Sequence, residues 1–134
     1  MPALCTYDYA VVRVVPHVER GEFVNAGVIV ACAAQGFLKA LVELDEARVQ
    51  ALDATADLEA IRSALQAIPT VCAGGAAAGP IGRLSLRERF DWLVAPRSTS
   101  IQMSPAHVGQ SADLDGALQR LMEKMVRRPQ RRTP

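Results

Sequence analysis

Eight polar side chains have the types and spacing to do chemistry: Arg13, Arg20, Glu22 and Asn25 near the start, and Arg97, Ser98, Gln102 and His107 in a later block. Three arginines among them could clamp a phosphorylated or nucleotide-like compound, because the guanidinium fork matches phosphate geometry. Asp8, Glu22 and Asp91 are also available in the sequence. Pairing with those carboxylates is the simpler expectation, since a bare charge is costly to bury. In the run Arg97-Ser98-Thr99-Ser100-Ile101-Gln102-Met103-Ser104, alternation puts Ser98, Ser100 and Gln102 on one face, with His107 just beyond. Such a face suits a polar ligand. A serine hydrolase would need a base oriented by a carboxylate, and no G-x-S-x-G presents a nucleophile. A general acid–base pair of Glu22 and His107 requires the fold to bring them together. His107 alone reads as a structural histidine.

Other motif chemistries lack their parts. His17 lies near Glu19, Arg20 and Glu22, but the spacing does not make a metal site, and none is expected. A phosphate loop at Gly27 would need G-x-x-x-x-G-K and strand–loop–helix order, and the segment has neither. Gly21 instead suits a turn that Glu22 and Asn25 can hold, and Gly27 marks a bulge or a close approach. Cys5, Cys32 and Cys72 form no C-x-x-C pair, so they read as buried thiols in a reducing compartment. No cofactor is implied.

The elements that must position these residues follow from periodicity. Tyr7 to Val15 alternates, with Ala10, Val12 and Val14 on an apolar face and Arg13 on a mixed one. Glu22 to Cys32 reads as a central strand, and Phe37 to Leu44 as a third strand after the Gln35-Gly36 turn. From Asp45 the period becomes helical. Asp45 caps a helix through Leu52, and Asp57 caps another that Pro69 should stop. The Gly/Ala-rich stretch 69–83 reads as a flexible loop. Ser85-Leu86-Arg87-Glu88 is a capping box opening a third helix. Ser98 to Met103 predicts a fourth strand. A last helix from about Asp113 carries Leu114, Leu118, Leu121, Met122 and Met125 on one side; left exposed, that stripe would be a partner contact. The expected architecture is α+β: a small antiparallel sheet, a three-strand meander plus a fourth strand, covered by about four helices.

Length and charge bound the rest. The 134 residues, half of them hydrophobic, suit one domain over 1–126 with a basic, disordered tail at 127–134. Removing Arg127, Arg128, Arg131 and Arg132 from 15 basic residues leaves 11 against 14 acids, so the body is near −3. A mildly acidic body offers nucleic acid no basic face. No signal peptide or membrane-spanning run is read, and a cytoplasmic protein is expected. Either an edge strand or the terminal helix could make a dimer.

Two segments together resemble a known family. Tyr9 to Pro16 followed by Arg20-Gly21-Glu22-Phe23-Val24-Asn25-Ala26-Gly27-Val28 is similar to the opening of a bacterial family, domain of unknown function 3037. Ala26 in this first segment stands where a valine is expected, and Arg89 to Thr99, then Gln102, Ser104-Pro105 and His107, resembles the family's second block. The resemblance implies no activity and no cofactor. It implies a possible protein partner, a kinase like the HipA toxin kinase, and it joins the two polar blocks as one candidate surface. A non-catalytic interaction or adaptor domain is therefore the leading expectation. A binder of, or enzyme acting on, a phosphorylated or nucleotide-like small molecule is the alternative.

Overall fold

The computed structural model describes residues 3–97 and 99–129. Three strands, β1 (Cys5–Val14), β2 (Val24–Cys32) and β3 (Phe37–Val42), form the expected antiparallel meander. Short 3-10 turns connect them, and Gly21 and Gly36 close those turns at positive φ (71° and 60°), where a side chain would be strained. Two short strands share the other edge of β1. β4 (Ile101–Met103) pairs with Val12–Val14, and β5 (His107–Ser111) pairs with Cys5–Tyr9. The sheet order is β3-β2-β1-β4, with β5 beside β1.

Four α-helices cover the sheet: α1 (Glu46–Leu52), α2 (Leu58–Ala73), α3 (Leu86–Val94) and α4 (Leu114–Met125). Each starts at a side chain that accepts an otherwise orphaned backbone N–H: Asp45 from Arg48, Asp57 from Ala60, Ser85 from Glu88 and Asp113 from Gly116. Glu88 reaches back to the Ser85 N–H and completes the capping box.

The sheet buries both faces. On one, Val12, Val14, Ile29 and Ala31 pack with Val49, Ile61, Leu65, Ile68, Phe90 and Leu93 from α1, α2 and α3. On the other, Tyr7, Val28, Val30 and Cys32 pack against α4. Each such aliphatic or aromatic side chain contributes about 1.5–3 kcal/mol on full burial. The β1–β2 register shifts between Val12 and Arg13, stepping over Ala26, so Val24 and Ala26 but then Ile29 and Ala31 reach the same core. Gly27 sits at this irregularity. A Cβ there would lie 2.5 Å from the Leu41 carbonyl oxygen, so the close approach expected from the sequence is a backbone contact.

Four expectations are corrected. Pro69 does not stop α2, which continues to Ala73 because Ile68, Val71 and Cys72 are buried and offset the missing hydrogen bond. Residues 69–83 accordingly hold the end of α2 and 3-10 turns over Ala76–Arg83. There Gly82 approaches Gly75 so closely that a Cβ would meet the Gly75 carbonyl oxygen at 2.0 Å. The strand expected over 98–103 is shorter, Ile101–Met103, and β5 is an additional strand with a sequence of low strand character. Arg127 and Arg128 are tied down: Arg127 bonds Glu43 at 2.8 Å and also pairs with Glu123, and Arg128 bonds both oxygens of Asp45 at 2.6 and 3.0 Å. Residues 130–134 of the expected tail lie outside the described residues.

Candidate functional site

The sheet brings part of the two polar blocks together. Arg13 stands opposite Asn25 on one side and Gln102 on the other, so the three form one row across β2, β1 and β4. Directly opposed residues project to the same face. Asn25 identifies that face as the α4 side, because its side-chain amide donates to the Met125 carbonyl at 2.9 Å. Further along β1, Tyr9 faces His107, with ring centroids 5.4 Å apart.

Most of these groups are held by structural partners. The Arg13 guanidinium lies 4.2 Å from the Phe23 ring centroid, a cation–π contact. The Gln102 amide donates to the Thr99 carbonyl at 3.0 Å. Arg13 Nε and Asn25 Oδ1 are buried without a hydrogen-bond partner among the described residues, and the buried position of both atoms closes them to a ligand. Arg20 and Glu22 stand apart as an exposed pair, Nε to Oε1 2.5 Å, which raises the Arg20 pKa. Arg97 follows α3 and closes its C-terminus, donating to the Trp92 carbonyl at 2.6 Å and the Leu93 carbonyl at 3.1 Å. Its guanidinium also lies 4.5 Å from the Trp92 ring centroid. Ser98 lies outside the described residues.

The three arginines therefore have three different neighbours: an aromatic ring, a carboxylate and a helix end. The pairings considered from the sequence are partly corrected. Asp8 and Asp91 are both taken by Arg87, at 2.6 and 3.2 Å, while Glu22 does hold Arg20.

No nucleophile–base–carboxylate relay is assembled among the described hydrogen bonds. Ser104 Oγ accepts from the Val11 N–H at 2.8 Å and donates to the Pro105 carbonyl, which anchors the strand edge. Ser111 likewise donates to the Asp113 carbonyl at 2.9 Å. Burial pushes the Cys72 thiol up to about 12, so it stays protonated at neutral pH and is a poor nucleophile. His17 Nε2 lies 3.5 Å from Asp53, whose carboxyl is lowered first by the Thr55 hydroxyl and N–H. Among the described residues, no three His, Cys, Asp or Glu side chains gather as a metal site. No single described helix is long and apolar enough to cross a membrane.

The condition under which α4 would be a partner contact, an exposed apolar stripe, is not met. Leu114, Leu118, Leu121 and Met122 are buried against the sheet. The open apolar feature lies on the opposite face. A cleft of about 270 Å³ between α2, α3 and β4 is lined by Ala64, Ala67, Ile68, Val71, Leu93 and Ile101, with Trp92 and Arg97 beside it. Trp92 is 40 % exposed. In the sequence Trp92 stands within the Arg89–Thr99 block and carries no contact role of its own. Its signal was available: Ala64, Ala67, Ile68 and Val71 are small or aliphatic residues at helical spacing, facing a lone tryptophan.

No curated protein matches this chain, and no solved structure matches it. A family model does, over residues 9–126, and its boundaries enclose both polar blocks and all four helices. The chain therefore belongs to the family described as protein of unknown function (DUF3037).

Proposed function

We propose that this chain is a non-catalytic interaction domain of the cytoplasm whose partner is a protein kinase resembling HipA, bound through the cleft between α2, α3 and β4. The exposed Trp92 beside that apolar cleft carries the reading. Tryptophan and arginine are the residue types that most often anchor protein interfaces, and here they stand together. The cleft's lining supports a protein occupant: Ala64, Ala67, Ile68, Val71, Leu93 and Ile101 make an open apolar surface that a partner's apolar side chain can fill. Arg97 supplies polarity at the rim. Two guanidinium nitrogens are engaged by carbonyls, and no carboxylate pairs with it among the described residues. The remaining N–H groups suit an acidic residue of the partner.

Calorimetric titration of a purified HipA-like kinase with the chain tests this. A one-to-one complex with micromolar or tighter affinity is expected. Ala67→Arg, at an exposed position of α2, and Trp92→Ala should each weaken it at least about tenfold, the loss of a strong interface anchor. Absence of binding at micromolar concentrations, or binding indifferent to both changes, would rule the reading out.

A further inference from the structure

We infer that β5 is a self-pairing edge, through which two copies of this chain join antiparallel about a two-fold axis at Gly109. A two-fold interface requires one surface patch to complement itself. β5 meets that condition. With Gly109 facing its own copy, Val108 stands opposite Gln110 of the partner subunit, and His107 opposite Ser111 of the partner subunit. The segment His107–Ser111 contains no lysine, arginine, aspartate, glutamate or proline, and the register sets His107 opposite serine rather than its own copy, so no like charges are opposed.

The side chains around the edge support the same occupant. Val108 is 68 % exposed and Leu4 66 %, the two most exposed large hydrophobic residues among those described. Val108 lies opposite Asp8, which bonds Arg87 of α3, so it projects to the α3 face of the sheet, and Leu4 directly precedes the first residue of β1. Self-pairing sets the two Val108 side chains diagonal to each other on that face, and each beside the stem of a Gln110. Native edges are commonly guarded by lysine, proline, a bulge, a covering element or a very short strand. Within β5 none of the first three is present. A five-residue ribbon makes a small interface, so the association is weak.

Sedimentation equilibrium of the full chain over a concentration series up to about 1 mM provides the test. The average mass should approach twice that of one chain. Amide exchange over 107–111 should slow as concentration rises. Val108→Lys, at a solvent-facing position, should shift the dissociation constant at least about tenfold by placing a gatekeeping charge on the edge, with an unchanged melting transition. Val108→Thr, which keeps strand preference, should weaken association less. A chain that stays monomeric throughout, or a dimer that keeps its affinity in Val108→Lys and its 107–111 exchange rates at all concentrations, would overturn the inference. Kinase binding through the Trp92 cleft is a separate contact, and Val108→Lys should leave it intact.

Discussion

At the β3 edge, α2 and α4 come from opposite faces to flank the strand, and a groove between them is lined by Leu38, Ala40, Cys72 and Leu118. Lys39, on the strand itself, pairs with Asp115 of α4 at 2.9 Å. Just past the strand, Glu43 and Asp45 receive Arg127 and Arg128 from the end of the chain. The opposite edge is built from β4 and β5, three and five residues long, with Ser104-Pro105-Ala106 between them and Val108 turned to solvent. One edge is closed by helices and charges, the other only by being short. The difference shows that edge protection here comes from what packs beside a strand, since neither edge is barred by its own hydrogen-bonding capacity.

Matched glycine substitutions break this comparison most directly. Gly27→Ala, toward the closed edge, drives a Cβ against the Leu41 carbonyl, which is backbone and cannot yield without separating β2 from β3. A loss of roughly 2–4 kcal/mol in denaturant unfolding is expected, with amide protection lost first in β3. Gly109→Ala, on the open edge, meets instead the Tyr7 ring at 2.5 Å, a core side chain whose displacement disturbs packing against α4 but does not require two strands to separate. Its cost should be smaller, about 1–2 kcal/mol. Equal costs for the two would remove the distinction between the edges.

Asn25→Ala sharpens the contrast between the polar row and the Trp92 cleft. It deletes the bond to the Met125 carbonyl and should lower stability by about 1 kcal/mol. Kinase affinity should not change; a large loss of affinity would move the contact surface to the Arg13 row.

The smallest effect concerns the charges beside the closed edge. Hydrogen bonds from Arg127 and Arg128 hold the Glu43 and Asp45 carboxyls below their ordinary values. A carboxyl whose folded-state pKa is lowered contributes stability above its unfolded value and loses it as pH falls through the folded one. With unfolded carboxyls near 4, that contribution is complete at neutral pH and fades only below about pH 4. The double substitution Arg127→Ala/Arg128→Ala should therefore lower the melting temperature slightly at pH 7, with a difference that shrinks as the pH is taken below about 4. High salt should reduce the pH 7 difference.

Much of the fold was legible in residue order. The meander, all four helix starts and the capping box follow from local rules that act within a few residues, as Asp45, Asp57, Ser85 and Asp113 show. Local rules failed where a distant partner decided the outcome. Pro69 is a helix breaker by its own chemistry, yet burial of Val71 and Cys72 beyond it extends α2. His107-Val108-Gly109-Gln110-Ser111 has little strand preference and becomes β5 because the outer edge of β1 supplies a ladder. The candidate site was legible in composition more than in geometry. Arg13, Asn25 and Gln102 do meet, but largely through structural contacts, and Arg97 lines a cleft that the polar pattern did not indicate.

By itself the sequence determined the α+β character, the order of elements, the near-neutral charge and the missing motifs of nucleotide, metal and hydrolase chemistry. These depend on side-chain periodicity, turn chemistry and spacing, which neighbouring residues express directly. Only the tertiary structure decided that Arg87 reaches Asp8, that the α4 stripe is covered, and that Trp92 and Val108 are left in solvent. Those outcomes depend on surfaces brought together from residues tens of positions apart, and pairings at that distance leave no mark in local order.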